Sequence, residues 1–342
     1  MKTINVGVVG LGFMGLTHMK AYGQVPGSRI AAVCDSVRLP ADGKLGSISG
    51  NIVKTDDLKL DMSQVQGYRN YEDMVLNPEI DLVDICVPTP LHIPIASAAL
   101  KAGKHVLCEK PVARTSAAAR ELEELAKVSK GVLMPAMCLR FWPEWAWLRQ
   151  AVQEGRYGKA LAARFRRVSE PPAWSQASYF KGEDSGGALL DLHIHDTDFV
   201  QFCFGRPSAV FSTGLSRFSG AIDYVMTQYH VDTCASVHAE GSWLMGPGFG
   251  FNMSYTVNFE NATADYDSGR GAEALKVFEK GQQPRVIQCP GGDGYVGELA
   301  HIVECIREGK QPSTVTIRDG IGAIEICEAE EKSVKTGQLV RL

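Results

Sequence analysis

The sequence lacks the features by which several large classes of protein are recognised. It contains no run of eighteen consecutive apolar residues and no uninterrupted apolar segment after Met1, so we expect neither a membrane span nor an export signal. Its 35 lysines and arginines are interspersed with 39 aspartates and glutamates and form no basic stripe, which argues against nucleic acid as a partner. These absences predict a cytoplasmic protein that binds neither membranes nor nucleic acid.

Signatures of disulfides and of zinc are absent as well. The nine cysteines are scattered, odd in number and contain no CxxC pair. That distribution is typical of buried free thiols in a reducing compartment, not of a disulfide framework or a zinc site. With 45% hydrophobic residues, a chain of 342 residues is too long for one comfortable core, and we expect two domains.

The first part of the chain alternates short β-branched runs with helical segments. This alternation predicts an α/β fold, a Rossmann domain with a doubly wound parallel sheet, over residues 1–137. Residues 36–67 show no clean period and remain unassigned. The predicted strands are 6–9, 29–34, 80–87, 105–108 and 132–137, and the predicted helices are 16–22, 94–102 and 116–128.

The second part of the chain has longer, alternating runs that contain aromatic residues, at 160–168, 209–215, 225–229 and 254–259. They predict an α+β domain over residues 138–342, built on an open, mostly antiparallel sheet and closed by a helix at 320–336. An open sheet leaves a broad face that needs cover. We therefore expect a homodimer or a homotetramer.

Gly10, Gly12 and Gly15 form a G-x-G-x-x-G motif between a predicted strand and a predicted helix. The first glycine permits a tight turn, the second lets the backbone approach a pyrophosphate, and the third lets helix and strand pack closely. The N–H groups of Phe13 and Met14 would lie at a helix N-terminus, where the helix dipole favours an anion. The motif therefore predicts a dinucleotide site.

Asp35 ends the second predicted strand, twenty residues after the motif. Its carboxylate can accept hydrogen bonds from both ribose hydroxyls. The same carboxylate would repel a 2′-phosphate, which favours NAD over NADP, although Arg38 is close enough in sequence to weaken that preference. The alternative is a glycine-rich turn in some other α/β protein, with Asp35 as a helix N-cap.

A stripe of ionisable residues is predicted in the second domain. If the segment after Gly187 is a helix, Asp191, His195 and Asp198 fall at i, i+4 and i+7 among apolar neighbours. A charged stripe is commonly a solvated face. Here the neighbours predict burial, and a buried carboxylate beside an imidazole is costly unless it is used or fully bonded.

A metal site at this stripe is the other interpretation, because His193 is close to His195 in sequence. Residues two apart on a helix point to different sides. We therefore predict that no metal is bound.

The glycine motif, Glu109-Lys110-Pro111 at a predicted strand end, and the Asp191 to His195 pair together closely resemble the Gfo/Idh/MocA oxidoreductase family. The resemblance covers nearly the whole chain. It implies that Lys110, Asp191 and His195 surround the reacting carbon of a sugar, an inositol or a related polyol.

The resemblance also implies a separate role for each of these side chains. His195 would accept the hydroxyl proton as the hydride leaves for the nicotinamide, because imidazole titrates near neutral pH. Asp191 would orient His195, and Lys110 would stabilise developing alkoxide charge. The motif departs from the family at Ser185 and His193, where glycine is often found, and this leaves the identity of the substrate open.

Further contacts are predicted on weaker grounds. Residues that follow the 80–87 strand should line the nicotinamide end, because doubly wound sheets bind ligands at the carboxyl edge; for His92, capping of the next helix is an equal alternative. Trp142, Trp145 and Trp147 are at least as suited to an interdomain core as to a sugar. The predicted cofactor contacts are Pro88, Thr89, His92, Glu109 and Lys110, and the predicted substrate contacts include Arg140, Tyr179 and Tyr295, with Trp174 as a weaker candidate.

Two other functions fit the same scaffold. An NAD-dependent glycosidase would oxidise its sugar only transiently and return the hydride. A non-catalytic sensor would keep the dinucleotide domain and act as a ligand-controlled binding module.

Overall fold

A computed structural model of the chain describes residues 2–46, 58–172 and 179–342. These residues form two compact units. Unit 1 comprises Met1–Cys138 and Gly292–Ile321, and unit 2 comprises Leu139–Gly291 and Gly322–Leu342. Part of the unassigned segment 36–67, and Trp174, lie outside the described residues.

Unit 1 contains a six-stranded parallel sheet in the order β3-β2-β1-β4-β5-β6. The central strands are buried almost throughout, as expected for a parallel sheet that is covered on both faces. This confirms the predicted Rossmann fold. The strands are β1 (Ile4–Val9), β2 (Ser28–Cys34), β3 (Gln66–Tyr68), β4 (Leu82–Ile85), β5 (His105–Glu109) and β6 (Leu133–Ala136), and the helices are α1 (Phe13–Tyr22), α2 (Tyr71–Leu76), α3 (His92–Lys101) and α4 (Ser116–Val128).

Unit 2 contains a nine-stranded sheet in the order β14-β13-β12-β11-β7-β10-β9-β8-β15. Neighbouring strands are antiparallel except for the parallel pair β7 and β10, which confirms the predicted mostly antiparallel sheet. The strands are β7 (Ala160–Ser169), β8 (Ala209–Leu215), β9 (Tyr224–His230), β10 (Ser236–Ser242), β11 (Phe251–Phe259), β12 (Ala262–Asp267), β13 (Leu275–Glu279), β14 (Arg285–Val286) and β15 (Val340–Arg341), and the helices are α5 (Pro143–Gln153), α6 (Gly182–Ser185) and α7 (Ile194–Phe204).

Two further helices precede the last strand, α8 (Gly294–Glu308) and α9 (Ile317–Thr336). Helix α8 packs against α1, where the Tyr295 ring lies 6.1 Å from the His18 ring, so α8 belongs to unit 1. The prediction of one continuous second domain over 138–342 differs from this division. The difference has a physical reason, because packing between segments almost 300 residues apart leaves no local pattern in the sequence.

Trp145 is at the centre of the unit 2 core. Its fully buried ring lies 4.9 Å from the Phe199 ring, 5.2 Å from that of Tyr255 and 5.7 Å from that of Phe165. Phe199 belongs to α7, and Tyr255 and Phe165 belong to strands β11 and β7 of the sheet. The tryptophan predicted for either a sugar site or an interdomain core thus lies in the core of unit 2 itself.

The cysteines and the lengths of the helices bear on two predictions made from composition. All nine cysteines are free thiols, and all but Cys289 are buried, as predicted. Within the described ranges, none of the helices combines the length and the apolarity that crossing a membrane requires.

Candidate active site

The three glycines of the motif each have a distinct structural reason. Gly10 has φ +96°, and a Cβ there would overlap the carbonyl oxygen of Cys86, so the turn requires glycine. A Cβ at Gly15 would overlap the carbonyl oxygen of Gly10. At Gly12 a Cβ would meet nothing within 4 Å. The second glycine is thus not required by protein packing, and the space beside it fits the approach of a pyrophosphate.

Helix α1 begins at Phe13, directly after Gly12, so its first-turn N–H groups are at the glycine turn. Asp35 is also at this turn. One of its carboxylate oxygens accepts a hydrogen bond from the Leu11 N–H at 2.8 Å, and the other accepts from the N–H groups of Val37 and Arg38. A half-buried carboxylate beside the N–H groups that open a helix fits the ribose and pyrophosphate of a dinucleotide.

His92 connects two strand ends. It is buried, and its ring nitrogens lie 2.8 Å from the carbonyl oxygens of Val87, after β4, and of Pro111, after β5. Burial lowers the pKa of His92, although both carbonyls act to raise it. The alternative that His92 caps a helix is wrong, because α3 begins at His92 itself and its N-cap residue, Leu91, makes no side-chain cap bond. Pro88 is exposed and Thr89 half-buried beside this connection.

Glu109 is the last residue of β5 and Lys110 follows it, and the two side chains have different environments. Lys110 is half-buried, while Glu109 is buried and its Oε2 accepts a hydrogen bond from the Lys110 N–H at 3.0 Å. Burial acts to raise the pKa of Glu109, but His18 and the charge of Lys110 together lower it. Glu109 therefore carries a negative charge close to the Lys110 ammonium group.

A buried charged network, missed by the sequence analysis, extends from Glu109. Nε2 of His18 lies 3.2 Å from Glu109 Oε1, and its Nδ1 lies 2.9 Å from Asp84 Oδ2. Burial acts to lower the pKa of His18, but the charge of Asp84 and a smaller effect of Cys86 raise it well above 6.5. The available signal was the acidic residue Asp84 within the apolar β4 run.

The same network bears on the prediction that no metal is bound. Ligand atoms of His18, Asp84 and Cys86 lie within 4.8 Å of one another. The Cys86 Sγ lies 3.4 Å from both His18 Nδ1 and Asp84 Oδ1. We interpret the group as a network of charges, because an imidazolium between two carboxylates is hydrogen-bonded to Asp84 through Nδ1 and ion-paired with Glu109 through Nε2.

In unit 2, Asp191 and His195 lie on a segment that is otherwise inaccessible. Leu189–His193 forms a π-helical turn that leads into α7. Of residues 185–200, Asp191 and His195 alone are not buried. A π-helical turn inserts an extra residue and is frequent at functional sites. The segment therefore presents these two side chains and hides the rest.

Asp198 differs from the predicted stripe. It is buried and accepts two hydrogen bonds from Arg140, at 2.7 and 2.8 Å, while the Arg140 guanidinium lies 4.4 Å from the Phe202 ring. Asp196 is similarly buried and paired with Arg167 at 2.7 Å. Arg140 therefore anchors α7 within unit 2, and the substrate contact predicted for it stays a prediction.

The two tyrosines predicted as substrate contacts lie in different units. Tyr179 is half-buried in unit 2, its ring 6.0 Å from that of Trp243, and its carbonyl accepts a hydrogen bond from Ser185. Tyr295 is in unit 1 against His18. Their roles toward a substrate stay predictions.

Two sequence profiles match the chain in its two parts. Residues 4–137 match the profile described as "Oxidoreductase family, NAD-binding Rossmann fold", and residues 145–265 match the one described as "GFO/IDH/MocA C-terminal domain". The chain belongs to the Gfo/Idh/MocA oxidoreductase family. It is an NAD-binding oxidoreductase, as the sequence motifs predicted.

Several named relatives align over the whole chain. An inositol 2-dehydrogenase of Rhizobium meliloti is 25% identical over 97% of each chain, and a myo-inositol 2-dehydrogenase of Thermotoga maritima is 26% identical over 99% of this chain and 98% of its own. A solved structure of a levoglucosan dehydrogenase in complex with NADH and L-sorbose superposes with a TM-score of 0.84 at 22% identity, covering 100% of this chain and 99% of the other. At that identity the structural likeness establishes the fold alone.

Replacing Gly12 by alanine should weaken NAD binding without weakening the fold. The added Cβ meets no protein atom but occupies the space beside the helix N-terminus, so we expect affinity to fall on the order of ten-fold with the melting temperature unchanged. Calorimetric titration with NAD checks this. Gly246→Ala, also in open space but in unit 2, is the matched control, and equal NAD affinity in both variants would contradict the assignment.

Asp84→Asn should destabilise the protein in a pH-dependent way. The folded-state pKa of His18 lies above its ordinary 6.5, so the pair contributes its full stability below about pH 6.5 and loses it as the pH rises through the folded-state value. We expect a loss of roughly 3–5 kcal/mol at pH 6 that shrinks toward pH 9. Urea denaturation at both pH values measures it.

The surface pair of Glu331 and Lys335 supplies a control for that experiment. Glu331→Gln should change the free energy of unfolding by less than about 1 kcal/mol at either pH. A loss in Asp84→Asn that is independent of pH would show that His18 is neutral in the folded protein.

Proposed function

We propose that the protein is an NAD(P)-dependent dehydrogenase that transfers a hydride between the nicotinamide and a secondary alcohol of a sugar, an inositol or a related polyol. The observation that carries this proposal is the selective exposure of Asp191 and His195 on an otherwise buried segment. The inositol dehydrogenases named above, aligned over nearly their whole length, support the substrate class.

The residues of the chain would divide the chemistry between them. NAD, when bound, supplies the hydride acceptor. His195 takes the proton of the substrate hydroxyl, because a half-buried imidazole can serve as a base near neutral pH. Asp191 orients that imidazole and binds a substrate hydroxyl, and the Lys110 ammonium stabilises the negative charge that develops on the substrate oxygen.

NAD is the proposed cofactor in preference to NADP. The half-buried Asp35 carboxylate at the glycine turn would repel a 2′-phosphate. Arg38 is exposed, and its backbone N–H donates a hydrogen bond to Asp35. The preference for NAD over NADP therefore rests on the Asp35 carboxylate.

We also propose that a second copy of the chain covers the outer face of the unit 2 sheet, in a homodimer or a homotetramer. On β8 and β9, side chains alternate between a buried face and an outer face. Phe211 is 38% exposed and Met226 45% exposed on that outer face. Apolar side chains on an open sheet favour burial against a matching surface.

Met226→Glu should dissociate this assembly. A charge on the outer face would have to be buried on association, so we expect a monomer at micromolar concentration while the wild type sediments as a dimer or tetramer. Sedimentation velocity distinguishes the two. A monomeric wild type would exclude the proposed assembly.

Lys110→Ala and His195→Ala should each reduce turnover by about 10²-fold or more while NAD affinity stays within a few-fold of the wild type, because they act on the substrate oxygen and its proton. The assay is absorbance of NADH with inositols, aldoses, sugar acids and simple polyols. Equal loss of NAD affinity in both variants would contradict these roles. If the wild type binds NAD but produces no NADH with any of these substrates, the hydride-recycling glycosidase or the sensor would be favoured instead.

A further inference from the structure

His193 lies between Asp191 and His195 in sequence and is fully buried. The family motif often has glycine at this position, where no side chain has to be accommodated. An imidazole in the interior requires both space and polar partners, because a buried polar group without them is costly. The surrounding residues of unit 2 supply the space, and they supply polar partners for Nε2, while Nδ1 is buried with no hydrogen-bond partner among the described residues.

Gly241 on β10 supplies the space. A Cβ built at Gly241 would lie 2.5 Å from the His193 Cβ and 2.8 Å from its Nδ1. Since the backbone of Gly241 is in a β-strand and its φ is not positive, no conformational demand requires glycine there. The absence of a side chain at position 241 is therefore matched to the presence of a side chain at position 193, from its Cβ to the imidazole.

The polar partners come from the neighbouring strand and from the last helix. Nε2 of His193 lies 3.0 Å from the Tyr229 hydroxyl on β9 and 3.4 Å from Glu330 Oε1 on α9. The Thr197 hydroxyl lies 3.1 Å from that of Tyr229 and donates to Glu330 at 3.3 Å. All four side chains are buried. The network thus ties the helical segment to the sheet and to α9.

The buried polar contacts of the π-helical turn and of α7 hold different parts of this helical segment. Asp196 and Asp198, with their arginines, hold α7. His193 is the last residue of the π-helical turn, and Asp191 lies inside that turn. A change in the turn would therefore move Asp191 relative to His195, which α7 carries.

We propose that His193 is a positioning residue. Held by Tyr229 and Glu330 in the space that Gly241 leaves, it sets the π-helical turn and with it the relative positions of Asp191 and His195. The inference rests on the proposed dehydrogenase function, since it assigns a task to the same two residues.

Tyr229→Phe tests the network with little change in volume. Losing the hydroxyl removes the shorter of the two contacts of His193 Nε2 and leaves only the 3.4 Å contact with Glu330. We expect kcat to fall on the order of ten-fold or more, with KM and NAD affinity within a few-fold of the wild type. Tyr255→Phe is the matched control, because Tyr255 is also buried in unit 2 and its hydroxyl donates to the Glu144 carbonyl at 2.8 Å, away from the turn. It should lose stability while kcat is retained. An equal fall of kcat in both variants overturns the proposal.

His193→Ala and Gly241→Ala test the matched pair. Each alone should lower kcat, and His193→Gln should restore most of what His193→Ala loses by supplying an amide donor near the Nε2 position. The atom nearest to a Cβ at position 241 is the Cβ of residue 193, so Gly241→Ala should have almost no added effect in a His193→Gly protein, which lacks that atom. Additive effects of His193→Gly and Gly241→Ala would overturn the proposal. If His193→Ala does not fold, the comparison of kcat between Tyr229→Phe and Tyr255→Phe still tests the proposal.

A readout independent of turnover separates this inference from the proposed function. Diethyl pyrocarbonate modifies accessible imidazoles, and tandem mass spectrometry of the peptide that contains both histidines locates the adduct. We expect His195 to react and His193 to be protected in the wild type, and the rate at His195 to change at least three-fold in Tyr229→Phe but not in Tyr255→Phe. If the modification rate at His195 changes in Tyr229→Phe but no variant and no wild-type protein shows turnover, the positioning role is supported and the dehydrogenase assignment fails. An unchanged rate in folded Tyr229→Phe and His193→Ala overturns the positioning role.

Discussion

Arg140 and Asp198 form a bidentate ion pair in the interior of unit 2, with about 2% and 1% of their side chains exposed. Removing either partner would leave the other charge buried without compensation, which costs several kcal/mol, so the two hold each other in place. The same requirement joins Arg167 to Asp196 and, in unit 1, His18 to Asp84 and Glu109. Pairing of buried charges is the constraint on which the rest of the site depends.

In unit 2 this constraint separates anchoring residues from presented ones. The helical segment carries five ionisable residues between positions 191 and 198, and the interior binds three of them, at 193, 196 and 198. The other two, Asp191 and His195, are only half-buried. Chemistry with a substrate is thus left to side chains whose backbone is held by their neighbours, which is the arrangement that precise positioning of reacting groups requires.

In unit 1 the pairing of buried charges joins the elements that carry the predicted cofactor contacts. His18 is on α1, the helix that the glycine turn opens, and Glu109 directly precedes Lys110. The ion pair therefore connects the first helix to the strand end that presents the lysine. The His92 bonds to the carbonyls of Val87 and Pro111 connect that strand end to its neighbour. Backbone segments that carry the predicted cofactor contacts are tied together by buried polar groups.

The sequence by itself determined the features that depend on local patterns. Strand and helix periodicity located five of the six strands in the unit 1 sheet and four of the nine in the unit 2 sheet. The spacing of Gly10, Gly12 and Gly15 predicted a turn whose geometry the structure explains residue by residue. Short or polar strands such as β10 and β12 were missed, because small and polar residues carry a weak strand signal. The identity of the family also followed from motifs, since these record chemistry at fixed spacing.

Only the tertiary structure decided which ionisable residues are anchors. Asp191, His195 and Asp198 share one stripe by spacing, yet the partner that distinguishes Asp198 is Arg140, 58 positions away. The pairing of His193 with Gly241, Tyr229 and Glu330, and the membership of α8 in unit 1, likewise depend on contacts between distant segments. Local periodicity carries no record of such contacts, because they are set by how the sheet and helices pack after the elements form.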